Sequence, residues 1–117
     1  MKFSLKDSES FEKYGIKLNV YASDKEVPEA NTCLVDCKEG HFEEFYDKKS
    51  TYLYYVLEGK GTFYLNGKPI EVKATDLVVA KPNTKIYYLG KMKMLLTVTP
   101  AWKEENEVHV RVIPQSK

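Results

Sequence analysis

The sequence has few features of membrane, secreted or metal-dependent proteins. No hydrophobic run approaches the roughly 18 residues of a membrane span, and the first residues contain no apolar core of signal-peptide length. Histidine occurs only twice, so few imidazole ligands are present for a transition metal. These absences predict a cytoplasmic protein that does not enter a membrane.

Cysteine is equally scarce. The two cysteines, Cys33 and Cys37, lie in the same predicted strand. A rise of ~3.3 Å per residue would place them about 13 Å apart, which is too far for a disulfide. We expect two reduced, structural thiols, and a metal or redox pair is the alternative.

An excess of charge of one sign is also missing. Lys and Arg total 18 and Asp and Glu total 17, so the net charge is +1. A dedicated nucleic-acid-binding domain is usually basic overall, and no nucleic-acid partner is expected. The 117 residues predict one domain, 1–117, because two domains would each be too small to bury a useful core.

Tyrosine, by contrast, is abundant. The chain has nine tyrosines, and seven of them lie between Tyr46 and Tyr88. This concentration indicates that the function resides in that stretch.

Short segments rich in β-formers, separated by turn signals, predict nine or ten strands. Asn66-Gly67 predicts a type I′ hairpin, and Asp7 and Gly15 predict a short helix between them, over residues 8–14. The closely spaced strands predict an all-β antiparallel sandwich or barrel, with Trp102 packed on its rim. The predicted strands are 16–22, 31–37, 42–48, 51–57, 62–65, 70–72, 77–80, 85–89, 93–99 and 108–113.

Three segments carry a family resemblance: Tyr55-Val56-Leu57-Glu58-Gly59-Lys60-Gly61, Asn66-Gly67 and Asp76-Leu77-Val78-Val79-Ala80-Lys81-Pro82-Asn83-Thr84. They resemble the cupin superfamily. The cupin motif G-x5-H-x-H-x3-E-x6-G aligns without a gap to residues 40–59, and the motif G-x5-P-x-G-x2-H-x3-N aligns to residues 75–90. The resemblance implies the cupin fold, a double-stranded β-helix or jelly-roll barrel, and directly covers about half of the chain.

The metal chemistry of cupins does not carry over. In cupins two histidines, a glutamate and a third histidine hold a divalent metal, and the alignment places those positions at Tyr46, Lys48, Tyr52 and Ile86. None of these is a good ligand for Zn, Fe, Mn or Ni. We therefore expect no metal and no cofactor. The alternative is a set of substitute ligands drawn from His41, Glu43, Glu44, Asp47 and the two cysteines.

Strand alternation predicts which side chains face the barrel interior. If Tyr46 faces inward, Glu44 and Lys48 do so too, and His41 faces outward. The inward tyrosines and lysine would form either a filled core or a ligand pocket with aromatic walls, several hydroxyls and one cation. The predicted ligand-binding residues are Glu44, Tyr46, Lys48, Tyr52, Tyr54 and Tyr88.

These expectations favour a metal-free cupin that binds a small polar or carbohydrate-like molecule. One alternative is an enzyme of the sugar-nucleotide epimerase or isomerase type, with Tyr and Lys as acid and base. Others are a metallo-cupin with substitute ligands and a sensing module that acts through a partner. We also expect a homodimer, because exposed edge strands need covering and the predicted strand 16–22 could pair with or pack on a second chain.

Overall fold

A curled antiparallel sheet makes up most of the molecule in the computed structural model, which describes residues 1–115. Two short 3-10 helices, Leu5–Asp7 and Glu104–Asn106, flank it. The all-β prediction is confirmed. The nine strands are β1 Glu9–Lys13, β2 Ile16–Val20, β3 Asn31–Cys37, β4 Gly40–Asp47, β5 Thr51–Leu65, β6 Lys68–Lys73, β7 Leu77–Ala80, β8 Ile86–Thr99 and β9 Glu107–Val112.

Two long strands, β5 and β8, form the centre of the sheet. They pair antiparallel over their whole lengths, from Thr51 opposite Thr99 to Leu65 opposite Ile86. One path of neighbours runs β1-β2-β3-β8-β4-β9, while β6 and β7 pair with β5. The sheet curls so that β1 approaches β9, and Lys13 on β1 forms an ion pair with Glu107 on β9 at 3.2 Å. This contact helps to close the barrel wall.

The break predicted between the strands 51–57 and 62–65 does not occur. The pairing of β5 with β8 shifts register at a bulge between Val56 and Glu58, and β5 continues through Gly59 and Gly61. Gly59 has φ +87° and lies directly against the Lys91 backbone of β8, so a side chain there would clash. Glycine thus allows close approach of two strands at this point. The Asn66-Gly67 hairpin is confirmed, since both residues have positive φ and Leu65 pairs with Lys68.

The helix predicted over residues 8–14 is also wrong. Residues Glu9–Lys13 form β1, which pairs with β2 through a hairpin whose turn residues, Tyr14 and Gly15, both have positive φ. Gly15 was interpreted as a helix stop, but it serves a tight strand connection, for which glycine is equally suited. The hairpin leaves β2 between β1 and β3, so the expected pairing of this strand with a second chain is not available.

One end of the barrel is filled by aromatic side chains. The ring of Phe63 lies 4.7 Å from that of Tyr88 and 5.0 Å from that of Tyr54, measured between centroids. Met92 and Met94 complete this packing. The other end contains a cavity, so the interior combines the packed core and the pocket that the sequence left as alternatives.

The cysteines behave as predicted. Cys33 and Cys37 are free and buried. Burial raises the pKa of Cys33 to about 11 and that of Cys37 to about 12, so both remain protonated at neutral pH. Across residues 1–115, no helix is both long and apolar enough to cross a membrane.

Candidate functional site

A cavity with a volume of about 750 Å³ lies between the β1–β2 hairpin and the inner faces of β3, β4, β5 and β8. This volume is within the usual range for small-molecule sites. Its lining comprises apolar side chains, here called the apolar wall, and polar side chains, here called the polar wall. The two sets adjoin where β5 pairs with β8, since Tyr52 lies opposite Val98 and Tyr54 opposite Leu96. The apolar wall includes Phe11, Ile16, Leu18, Val20, Leu96 and Val98. The polar wall includes Lys13, His41, Tyr52, Tyr54, Tyr88 and Glu107.

The structure separates the six predicted ligand-binding residues into two groups. Tyr52, Tyr54 and Tyr88 line the cavity, whereas Glu44, Tyr46 and Lys48 are not among its lining residues. Glu44 pairs with Arg111 at 2.9 Å, and Lys48 is exposed beyond the end of β4. The expected inward orientation of these three side chains is therefore wrong.

The error is one of strand parity. On β4 the cavity-lining residues are His41 and Phe45, which occupy the odd positions, whereas the alignment to the cupin motif assigned the even ones. A shift of one residue moves every side chain of a strand to the other face. The same shift explains why His41, expected to face outward, is only 2% exposed.

His41 is the most unusual group in the cavity wall. Neither ring nitrogen has a hydrogen-bond partner among the described residues, and both are shielded from water. Burial, with a smaller effect from the positive charge of Lys13, lowers the pKa of His41 to about 3. The imidazole is thus neutral at physiological pH and has a lone pair free to accept a proton.

His41, Tyr88 and Tyr54 form a row of adjacent rings. His41 and Tyr88 are cross-strand partners between β4 and β8, with ring centroids 5.3 Å apart. Tyr54, on β5, lies 5.6 Å from Tyr88. Burial raises the pKa of both phenols well above 10, so both hydroxyls remain protonated and can donate hydrogen bonds.

Glu107 accepts hydrogen bonds from three other side chains that line the cavity. Its Oε2 accepts hydrogen bonds from the Tyr52 hydroxyl at 2.9 Å and from Trp102 Nε1 at 3.0 Å. Its Oε1 accepts one from Lys13 Nζ at 3.2 Å. Trp102 is 39% exposed and also lines the cavity, so it contributes to the site as well as to the rim.

The donors present do not fit the divalent metal site typical of cupins. In residues 1–115, no three His, Cys, Asp or Glu side chains converge as a metal would require. His41 has one carboxylate close by, Glu43, whose Oε1 is 3.6 Å from His41 Nε2, and the rings that contact His41 belong to Tyr14, Phe45 and Tyr88. Two such donors fall short of the three or four protein ligands of a typical site.

A family model described as the EutQ-like cupin domain matches residues 26–110. The chain belongs to this cupin family. The superfamily resemblance noted in the sequence is thereby confirmed. Among curated proteins, a search returns no significant match.

Solved structures give a more detailed comparison. The cupin is 46% identical to Pac13, described as a unique nucleoside dehydratase with a β-barrel, over 97% of this chain and 93% of that one, with a TM-score of 0.93. Three structures of single-residue variants of the Streptomyces protein, described with uridine, are 45% identical. KdgF from a Halomonas species shares 16% identity over 88% of this chain and 94% of that one, with a TM-score of 0.72, and shows the shared fold alone.

The positions varied in the uridine structures are informative. One variant replaces a histidine with glutamine, and the other two each replace a tyrosine with phenylalanine. The first tyrosine lies 13 residues after the histidine, and the second lies 34 residues after the first. His41, Tyr54 and Tyr88 have the same residue types at the same separations. The sequence prediction included the two tyrosines but missed the histidine, as well as Glu107 and Trp102. The rarity of histidine was a signal that could have identified His41.

Proposed function

We propose that this cupin binds a uridine-like nucleoside in the barrel cavity and eliminates water from its sugar. One observation carries the proposal: His41, Tyr54 and Tyr88 line a single cavity and match, in type and spacing, the positions varied in the uridine structures. Likeness to a nucleoside dehydratase at 46% identity supports the reaction class. The expected polar or carbohydrate-like ligand is consistent with a ribose.

The cavity provides suitable surfaces for such a ligand. The apolar wall formed by β1, β2 and β8 can pack against a planar base. Tyr54 and Tyr88, each only 1% exposed, offer phenol donors to sugar oxygens. Lys13, the one lysine or arginine among the described lining residues, is paired with Glu107, so the cavity favours an uncharged nucleoside over a phosphorylated one.

His41 provides the base for the elimination. It accepts a carbon-bound proton of the sugar, and the electrons of that C–H bond form a carbon–carbon double bond. The neighbouring hydroxyl departs with its bonding electrons and receives the proton back from His41, so that water leaves and the imidazole becomes neutral again. Tyr54 and Tyr88 donate hydrogen bonds to the sugar oxygens on which negative charge develops.

The proposed reaction needs no metal, because the donor set around His41 does not fit one. It acts in the cytoplasm on a small molecule, without a nucleic-acid partner. The homodimer also remains a prediction. The mass of the particle by light scattering, at high micromolar concentration, tests it: a dimer mass supports the prediction, and a monomer mass rejects it.

Mass spectrometry of reaction mixtures tests the proposed reaction. Uridine and uridines oxidised at a ribose carbon form the panel, because a carbonyl next to the C–H bond makes the proton acidic enough for an imidazole base. We expect the wild type to convert at least one oxidised uridine to a product lighter by one water, and His41→Gln to lose that activity. Absence of turnover across the panel, with uridine still bound, would reduce the function to binding alone.

A further inference from the structure

The environment of His41 works against its proposed task. A base that removes a carbon-bound proton must carry a positive charge for part of the reaction. Burial and the nearby Lys13 ammonium both disfavour that charge and lower the pKa of His41 to about 3. A neighbouring group that offsets this cost would make the proton transfer easier.

Glu43 occupies the position from which such an offset can come. It lies two residues from His41 on β4 and is only 6% exposed. Its Oε1 has no hydrogen-bond partner among residues 1–115 and lies 3.6 Å from His41 Nε2. That separation is roughly 0.6 Å longer than a normal hydrogen bond, so a small movement of either side chain would close it.

His109 fixes the other oxygen of this carboxylate. Its Nδ1 lies 2.8 Å from Glu43 Oε2, and its ring stacks on Tyr14 at a centroid distance of 6.0 Å. Tyr14 in turn contacts the edge of the His41 ring at 6.3 Å. The carboxylate is therefore held between a buried imidazole with free nitrogens and a partly exposed imidazole that anchors it.

We propose that Glu43 is a positioning residue for the elimination: it directs the Nε2 hydrogen of His41 toward itself and stabilises the protonated ring, while His109 holds the Glu43 carboxylate in place. This inference rests on the proposed function. With hydrogen on Nε2, the lone pair of His41 is on Nδ1, the nitrogen that accepts the substrate proton. The resulting imidazolium then forms an ion pair with Glu43.

The other ionisable groups of the polar wall do not stabilise a protonated His41. Glu107 already accepts hydrogen bonds from Lys13, Tyr52 and Trp102. Lys13 adds positive charge, and Tyr54 and Tyr88 are neutral phenols at physiological pH. Glu43 is thus the carboxylate that approaches His41 within the described part of the chain.

Two substitutions separate the roles of Glu43. Glu43→Gln keeps the shape and an acceptor oxygen but removes the charge, whereas Glu43→Met removes both the charge and the acceptor. Glu44→Gln is the matched control, because Glu44 is the adjacent residue, is equally buried at 6% and pairs with Arg111 instead. Nitrogen-15 NMR of the imidazole, recorded on each protein at neutral pH without ligand, reports which His41 nitrogen carries hydrogen.

We expect hydrogen on Nε2 in the wild type and in Glu44→Gln, and a shift toward the Nδ1 form in Glu43→Met. In the elimination assay, Glu43→Gln should lower kcat roughly 10- to 100-fold with KM within about twofold of wild type. A wild-type ring with hydrogen on Nδ1, a tautomer unchanged in Glu43→Met, or an unchanged kcat in Glu43→Gln would each overturn the proposal. The NMR measurement needs no turnover, so it shows whether Glu43 sets the tautomer of His41 even if the proposed reaction is wrong.

Discussion

The Tyr52 hydroxyl donates a 2.9 Å hydrogen bond to the Glu107 carboxylate and links the central strand β5 to the last strand, β9. The two residues are 55 positions apart in sequence. Tyr52 also lies 3.1 Å from Asp47 Oδ2, and burial, together with the adjacent carboxylates, raises its pKa. The phenol thus remains protonated and serves as a structural donor at the rim of the cavity.

Replacing Glu107 with alanine should destabilise the fold. The change removes the acceptor of Trp102 and Lys13 and leaves the Tyr52 hydroxyl with Asp47 Oδ2 alone. The lost hydrogen bonds together should cost about 1–3 kcal/mol. Urea unfolding measures the free energy. Glu105→Ala, at an exposed position two residues away, is the control and should change stability by less than about 0.5 kcal/mol. Equal stability of the two variants would contradict the role assigned to Glu107.

Removing the hydroxyl of Tyr54 or of Tyr88 should weaken the binding of uridine. Each change deletes one hydrogen bond worth about 0.5–1.5 kcal/mol, which corresponds to a roughly 2- to 10-fold rise in Kd. Isothermal titration calorimetry gives the affinity.

Each of these tyrosines has a neighbouring tyrosine outside the cavity lining. Tyr55→Phe and Tyr87→Phe each remove a phenol hydroxyl from the residue adjacent to Tyr54 or Tyr88, on the opposite face of the same strand. These controls should bind uridine as the wild type does. If all four variants bind with the same affinity, the ligand does not contact the inner tyrosines.

Acid should destabilise the folded protein partly through His41. Its pKa is lowered from 6.5 to about 3 on folding, so between these values the unfolded chain binds a proton that the folded chain does not. The contribution of the neutral His41 ring to the free energy of unfolding is therefore fully present above pH 6.5. It decreases as the pH falls below that value, by up to about 1.4 kcal/mol per pH unit.

The comparison of wild type with His41→Gln isolates this contribution. Urea unfolding of both proteins at several pH values between 4 and 7 gives two curves of free energy against pH. The wild-type curve should fall more steeply on acidification, because only the wild type contains the buried imidazole. Parallel curves would show that His41 has an ordinary pKa in the folded protein.

Purified protein should contain no stoichiometric divalent metal. No three His, Cys, Asp or Glu side chains converge within residues 1–115, and the surroundings of His41 offer only one nearby carboxylate. Elemental analysis after dialysis measures the content. About one transition metal per chain, lost in His41→Gln, would contradict this account.

The sequence predicted the fold better than the site. Strand spacing and the Asn66-Gly67 turn follow from local rules, and residues 31–37 and 77–80 were assigned with their observed bounds. The predictions around Gly59 and Gly15 are wrong because glycine can indicate a turn, a helix end or a close approach of two strands. Only the pairing partner of the segment distinguishes these cases. The predicted orientation of the β4 side chains is wrong because an alignment shifted by one residue exchanges the two faces of a strand. Glu107 could not be predicted, since its partners come from distant positions in the sequence.

A crystal structure with uridine tests the central claim most directly. The account predicts uridine inside the cavity, with its base against the apolar wall and its ribose within hydrogen-bond distance of Tyr54 and Tyr88 and in contact with the His41 ring. Uridine bound elsewhere, or a cavity that stays empty of uridine at saturating concentration, would contradict it.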